Sequence, residues 1–128
     1  MNPKQSIYIR LFYATERKKV LFQILEEQHF TLSNNNKIQV PKLYITDFAT
    51  VPQWARSVIN VVDKHYQAAI LHDWLYDNQY QNNRKLADDE FLHKMKQDGV
   101  KKWKRNIMWF AVRIGGKKRW NDNTGGLH

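Results

Sequence analysis

The chain contains no cysteine, which excludes disulfide bonds and thiolate zinc sites as sources of stability. It also has no glycine before Gly99. No run of 18 apolar residues occurs, so we predict no transmembrane span. The first residues lead into a strand-like segment and not into the apolar core of a signal peptide. These absences leave an ordinary globular protein whose stability must come from its core.

Acidic residues are missing from residues 99–121, which carry eight lysines or arginines. This segment accounts for nearly all of the formal net charge of +9 on the 128-residue chain. Such a field favours polyanions or anionic membrane surfaces. We assign an anion- or lipid-binding role to five of these basic residues: Lys101, Lys102, Lys104, Arg105 and Arg113. The alternative is a solubilising face on a terminal helix.

Length and a hydrophobic fraction of 42% predict a single domain over residues 1–120, followed by a flexible polar tail over residues 121–128. The sequence pattern predicts an α+β fold, with a small N-terminal antiparallel β-sheet followed by three to four helices. Five segments favour extended structure by composition: residues 6–13, 20–26, 30–32, 38–40 and 43–45. A short helix is an alternative for the second of them.

Helical patterns follow over residues 53–62, 64–79, 84–98 and 103–114. Gly99 is expected to stop the third helix, and the pair Gly115 and Gly116 to stop the fourth. The apolar packing face of the fourth helix is expected to comprise Ile107, Phe110, Ala111 and Ile114.

A histidine and an aspartate, His72 and Asp73, interrupt the apolar run of residues 68–76 in the second helix. Helical spacing places both near the core, where an unpaired neutral polar group costs roughly 2–7 kcal/mol. A short connection joins this helix to the next, so the two should pack antiparallel, with Asp88 near the shared seam. Asp88 can then accept a hydrogen bond from His72 and raise the basicity of the other ring nitrogen, and Tyr76 can join the network. The alternative is a structural hydrogen-bond network without catalysis.

Several motifs resemble one phage and prophage family, known as domain of unknown function 1353. They are VPKLYITDFATVP (residues 40–52), AAILHDWLY (residues 68–76), and then Arg84, Ala87, Asp88 and Phe91. The closing helix is also similar, through Trp103, Arg105, Met108, Ala111, Val112 and Arg113. The resemblance covers roughly residues 30–116 and implies a tailed-phage origin, with residence in the host cytoplasm or in the virion.

The helix pair with His72, Asp73, Tyr76 and Asp88 is similar to the core of calcium-dependent secretory phospholipases, most closely to the disulfide-free form in parvovirus capsids. This resemblance implies that His72 is a general base, that Asp88 orients it and that Tyr76 belongs to the same network. It implies Ca²⁺ binding by Asp73. Those enzymes have a glycine-rich calcium loop, which this chain lacks, and Asp47 can supply a carboxylate in its place.

Two functions follow as expectations. The first is a small calcium-dependent ester hydrolase that acts at a lipid surface, with His72 as the base and Ca²⁺ stabilising the oxyanion. The second is a non-enzymatic virion, tail or neck component whose basic face binds other phage structural proteins. Nucleic-acid binding is a third option, although no helix-turn-helix signature is present.

Overall fold

The computed structural model describes residues 9–14, 19–46 and 66–122. The chain groups into two compact units, Met1–Asp47 and Phe48–His128. The single domain over residues 1–120 and the flexible tail from residue 121 stay predictions. Asp47 and the helix expected over residues 53–62 lie outside the described residues.

The described part of the first unit contains five strands, as the order of β-forming segments predicts. They are β1 (Ile9–Ala14), β2 (Lys19–Ile24), β3 (Gln28–Thr31), β4 (Lys37–Val40) and β5 (Ile45–Thr46). One antiparallel sheet has the order β1-β2-β5, and β3 pairs with β4 in a separate hairpin. The second segment is therefore a strand and not a short helix.

The β3–β4 hairpin shows why its residues form strands. Its side chains alternate between buried and exposed, and Phe30 lies opposite Ile38 on the buried face. The turn between the strands needs a left-handed residue, which Asn35 supplies with a φ of 71°. The amide of Leu32 donates to the carbonyl of Asn36 at 2.8 Å and closes this turn.

The second unit contains three helices in its described part: α1 (Tyr66–Asp77), α2 (Arg84–Gln97) and α3 (Lys102–Asp122). A single 3₁₀ turn, Tyr80–Asn82, joins α1 to α2. The Asn83 side chain caps α2 by accepting a hydrogen bond from the amide of Leu86 at 3.0 Å. No helix in the described part of the chain is both long and apolar enough to cross a membrane.

Gly99 ends α2 as predicted. Its φ of +80° lies in the left-handed region, which glycine adopts without a steric penalty. The amide of Val100 donates to the carbonyl of Met95 at 3.0 Å, and that of Gly99 to Lys96 at 3.2 Å. This is the Schellman arrangement that satisfies the last carbonyls of a helix.

The predicted end of the last helix at Gly115 and Gly116 is wrong, because α3 continues to Asp122. Tertiary contacts outweigh the poor helix propensity of the two glycines. The Trp120 ring packs edge-on against Tyr76 of α1, with centroids 5.2 Å apart, and Arg119 pairs with Asp77 at 2.6 Å. The residues after the glycines are thus held against α1.

The predicted packing face of α3 is also largely wrong. Of the four residues expected there, Ala111 is buried, whereas Phe110 and Ile114 are exposed. The buried side of α3 consists instead of Met108, Ala111, Val112, Gly116 and Trp120. Small residues on this side let the helix approach α1 closely: a Cβ atom at Gly116 would overlap the Tyr76 hydroxyl.

We expect Gly116→Ala to destabilise the protein by about 1–3 kcal/mol, because the added methyl group must displace the Tyr76 hydroxyl. Gly115→Ala is the matched control, since Gly115 is exposed in the same helix. There alanine should be neutral or stabilise by up to about 1 kcal/mol. Urea denaturation measures both, and equal effects of the two substitutions would contradict the close contact.

Candidate functional site

The site is built around the fully buried carboxylate of Asp88 on α2. Its Oδ1 atom lies 2.6 Å from Nε2 of His72 and accepts a hydrogen bond from the Tyr76 hydroxyl at 2.7 Å. The predicted contact between His72 and Asp88 is therefore confirmed. Tyr76, near the end of α1, accepts a hydrogen bond from Arg84 at the start of α2. His72, one turn earlier in α1, packs on Phe91, which lies further along α2. The two helices are thus antiparallel, as predicted.

Two arginines contact the other carboxylate oxygen of Asp88, Oδ2. Nη1 of Arg113 on α3 donates to Oδ2 at 2.8 Å, and Nη1 of Arg84 lies 3.3 Å from the same atom. Arg84 also donates to the backbone carbonyls of Val112 and Arg113, each at 3.2 Å. One carboxylate therefore links the three described helices, α1, α2 and α3.

The hydrogen bond to Asp88 fixes the tautomer of His72. An ionised carboxylate can only accept hydrogen bonds, so Nε2 of His72 must carry the hydrogen. In the neutral ring Nδ1 then has a lone pair, and this atom is buried without a hydrogen-bond partner in the described structure. The ring is held between Tyr76 and Phe91, with centroid distances of 4.3 Å and 4.7 Å. A fixed, unpartnered ring nitrogen is the form that a general base requires.

The electrostatics keep Asp88 charged and Tyr76 protonated. Burial alone would raise the pKa of Asp88, but the hydrogen bond from His72, the positive charge of this ring when it is protonated, and hydrogen bonds from Tyr76 and Arg113 outweigh burial and leave this pKa below its ordinary value. Burial, followed by the negative charge of Asp88, raises the pKa of Tyr76. Tyr76 is therefore a permanent donor to Asp88 and not an acid or a base near neutral pH.

The metal-binding prediction involves Asp73 and Asp47. Asp73 is buried beside His72, whereas Asp47 lies outside the described residues. Among residues 9–14, 19–46 and 66–122, no three histidine or carboxylate side chains come together as a metal site. The described donors alone do not fit Ca²⁺, because this ion takes six to eight oxygen ligands.

The residues predicted to bind anions separate into two groups. Arg113 is engaged with Asp88, and Arg105 donates to the carbonyl of Val100 at 3.0 Å. Lys101 and Lys102 are exposed, and Lys104 is half-buried with its ammonium 5.6 Å from the centre of the Trp103 ring. Only the lysines of this set are thus directed to solvent or to a nearby ring.

Sequence reasoning missed the roles of Arg84 and Arg113 in the site. The i, i+4 spacing of Arg84 and Asp88 is a signal that could have identified the first of them. Arg113 belongs to the motif of the closing helix, but spacing within α3 does not reveal its contact with Asp88, because that partner is on another helix. The packing of Gly116 and Trp120 against Tyr76 likewise exists only in the tertiary structure.

The fold and site define a small α+β protein with a buried histidine–aspartate pair on adjacent helices. The sequence model of one family, described as "Protein of unknown function (DUF1353)", matches residues 22–112. The chain therefore belongs to the DUF1353 family, as its motifs predict. No curated protein and no solved structure matches the chain.

The lowered pKa of Asp88 predicts acid-sensitive stability. The pKa of Asp88 is lower in the folded state than in the unfolded state. The stability that the ionised carboxylate contributes is therefore complete above about pH 3.9, the ordinary aspartate pKa, and is lost as the pH falls through the folded pKa. We expect Asp88→Asn to cost about 3–5 kcal/mol at about pH 6, because two guanidinium groups lose their partner. The difference from wild type should shrink towards about pH 3.

Urea denaturation at fixed pH measures this difference in the free energy of unfolding. Asp89→Asn is the control: its half-exposed carboxylate accepts hydrogen bonds from Lys85 and Trp109, and its loss should cost only about 1 kcal/mol. An Asp88→Asn cost that does not change with pH would contradict the assignment.

Proposed function

We propose that the protein is a small ester hydrolase of tailed-phage origin, in which Nδ1 of His72 is the general base. The observation that carries the proposal is the buried Nδ1 atom without a hydrogen-bond partner in the described structure. Leaving such an atom unsatisfied costs about 1–3 kcal/mol, and native cores rarely keep that cost without a functional reason.

The proposed reaction uses residues of the helical unit alone. Nδ1 of His72 removes a proton from water, and the water oxygen attacks the carbonyl carbon of the ester. The tetrahedral intermediate then breaks its bond to the alkoxide, which takes the proton back from Nδ1. Asp88 remains a carboxylate throughout and stabilises the imidazolium through the 2.6 Å contact to Nε2. Tyr76 and the two arginines hold Asp88 in place.

Access to the base requires movement, because the His72 side chain has no exposed surface. Water and an ester can reach Nδ1 only when the residues that cover it separate. The proposal therefore includes an opening step before chemistry, of the kind that gates many buried active sites.

Calcium binding is a separate part of the proposal. Asp73, adjacent to His72, is the carboxylate of the helical unit proposed as a ligand, and further oxygen donors would have to complete the shell. Bound Ca²⁺ would supply a positive charge to stabilise the oxyanion. Titration calorimetry of the wild type and Asp73→Asn tests this part without an activity assay.

For a hydrolase of tailed-phage origin, we also propose residence in the host cytoplasm or in the virion.

A non-enzymatic virion, tail or neck component is the second candidate. Complete burial of both His72 and Asp88 favours it, because a structural network has no need of access to solvent. In that case Asp88 serves to fix the packing of three helices, and the charged surface binds other phage structural proteins or nucleic acid.

We expect His72→Gln to lower ester hydrolysis by about 10²–10⁴-fold while the fold survives, because a general base is lost. The glutamine amide nitrogen can reach Asp88 much as Nε2 does, so the carboxylate keeps a donor. The assay uses mixed anionic and zwitterionic phospholipid vesicles with Ca²⁺, together with a soluble short-chain ester. Thermal unfolding shows whether each variant is folded.

His93→Gln is the matched control, since the same substitution on α2 lies outside the network and should leave the rate unchanged. Full activity in His72→Gln would refute the role of His72. A wild type that hydrolyses nothing, with about 1–3 kcal/mol of stability lost in His72→Gln, would support the structural candidate instead.

A further inference from the structure

An apolar stripe lies on the solvent side of α3, opposite the face that packs on the other helices. Trp103, Phe110 and Ile114 are 53%, 57% and 64% exposed, and Ile107 between them is half-buried. Their spacing of four, three and four residues aligns them along one side of a helix. Four large apolar side chains in one continuous row form a patch and not a scattering of single exposed residues.

Lysines border the apolar stripe on both sides. Lys102 and Lys117 flank one edge, and Lys104 and Lys118 flank the other, at the angles that an α-helix gives them. The arginines of α3 are engaged elsewhere: Arg105 with the carbonyl of Val100, Arg113 with Asp88 and Arg119 with Asp77. Among the described residues, these four lysines form no ion pair with a carboxylate within 4.0 Å, so their charge is available to a partner.

The combination of an apolar stripe with bordering lysines distinguishes between three possible partners: nucleic acid, a second copy of the chain and a lipid surface. Nucleic acid would neutralise the lysines but would leave the four apolar side chains in water. A second copy docked through the same face would bring lysines against lysines, because residues 99–121 contain no acid. An anionic bilayer surface satisfies both features. The apolar stripe can contact the acyl chains, and the lysine ammonium groups can contact the anionic headgroups because lysine stems extend along the helix surface.

We propose that α3 is a membrane-docking helix that lies in the plane of an anionic lipid surface, with Trp103, Ile107, Phe110 and Ile114 inserted below the headgroups. The helix rests at the interface and does not span the bilayer, consistent with its high lysine content. This inference goes beyond the proposed hydrolysis and does not depend on it, because docking needs no function of His72.

The test is co-sedimentation of the full chain with vesicles of phosphatidylglycerol and phosphatidylcholine in equal parts, compared with vesicles of phosphatidylcholine alone. We expect binding to the anionic vesicles only. The double substitution Phe110→Ser with Ile114→Ser should lower the partition coefficient by about tenfold or more, because two large apolar side chains lose their burial in lipid. Replacement of Lys102, Lys104, Lys117 and Lys118 by Gln should lower it by about a hundredfold or more at low salt.

Leu11→Ser with Tyr13→Ser is the matched control, because these side chains are equally exposed on β1 of the other unit. This variant should bind as the wild type does. Thermal unfolding must show that every variant is folded, which the surface positions of the substituted residues favour. His72→Gln should also bind normally, so that loss of hydrolysis and loss of docking are independent results.

Three results would overturn the proposal. The first is no binding of the wild type to anionic vesicles. The second is vesicle binding that the Phe110 and Ile114 substitutions leave unchanged, which would indicate a purely electrostatic surface. If the same variant also retains DNA binding, nucleic acid would be identified as the partner of that surface. The third is a concentration-dependent dimer that those substitutions abolish, without vesicle binding, which would assign the stripe to contact between copies.

Discussion

The helical unit depends on one physical constraint, the burial of a charged carboxylate at Asp88. An isolated charge in a core of low polarity is strongly unfavourable, so every lone pair of this group must be matched. The structure meets the requirement with donors from three helices: His72 and Tyr76 from α1, Arg84 from α2 itself and Arg113 from α3. The position and register of each helix follow from this requirement as much as from apolar packing.

The same constraint accounts for the unusual character of α3. The guanidinium of Arg84 reaches backbone carbonyls in the interior of that helix, which is possible only if the helix comes close to α1 and α2. Gly116 provides the close approach, since a Cβ there would overlap the Tyr76 hydroxyl. The close approach at Gly116, the guanidinium contacts and the buried Trp120 hold α3 in place, whereas Trp103, Phe110 and Ile114 are left on its outer surface.

Local patterns predicted much of the fold, and they failed where tertiary contacts decide. Composition located the segments that form strands, and Gly99 correctly marked the end of α2. The pairing of His72 with Asp88 followed from helical periodicity and the short connection. The two glycines of α3 misled because Gly116 serves close packing against Tyr76 and does not end the helix. The buried face of α3 was mistaken because apolar residues occur on both sides of it, and hydrophobicity alone does not say which side meets a guanidinium network.

Asp88 is expected to fix His72 with its hydrogen on Nε2 and an unprotonated Nδ1. Long-range ¹H–¹⁵N correlation spectra of the ¹⁵N-labelled protein at neutral pH measure this directly, because the protonated and unprotonated ring nitrogens differ widely in chemical shift. We expect a protonated Nε2 and an unprotonated Nδ1 for His72, and a change in this pattern in Asp88→Asn. A hydrogen on Nδ1 in the wild type, with a bare Nε2, would contradict it.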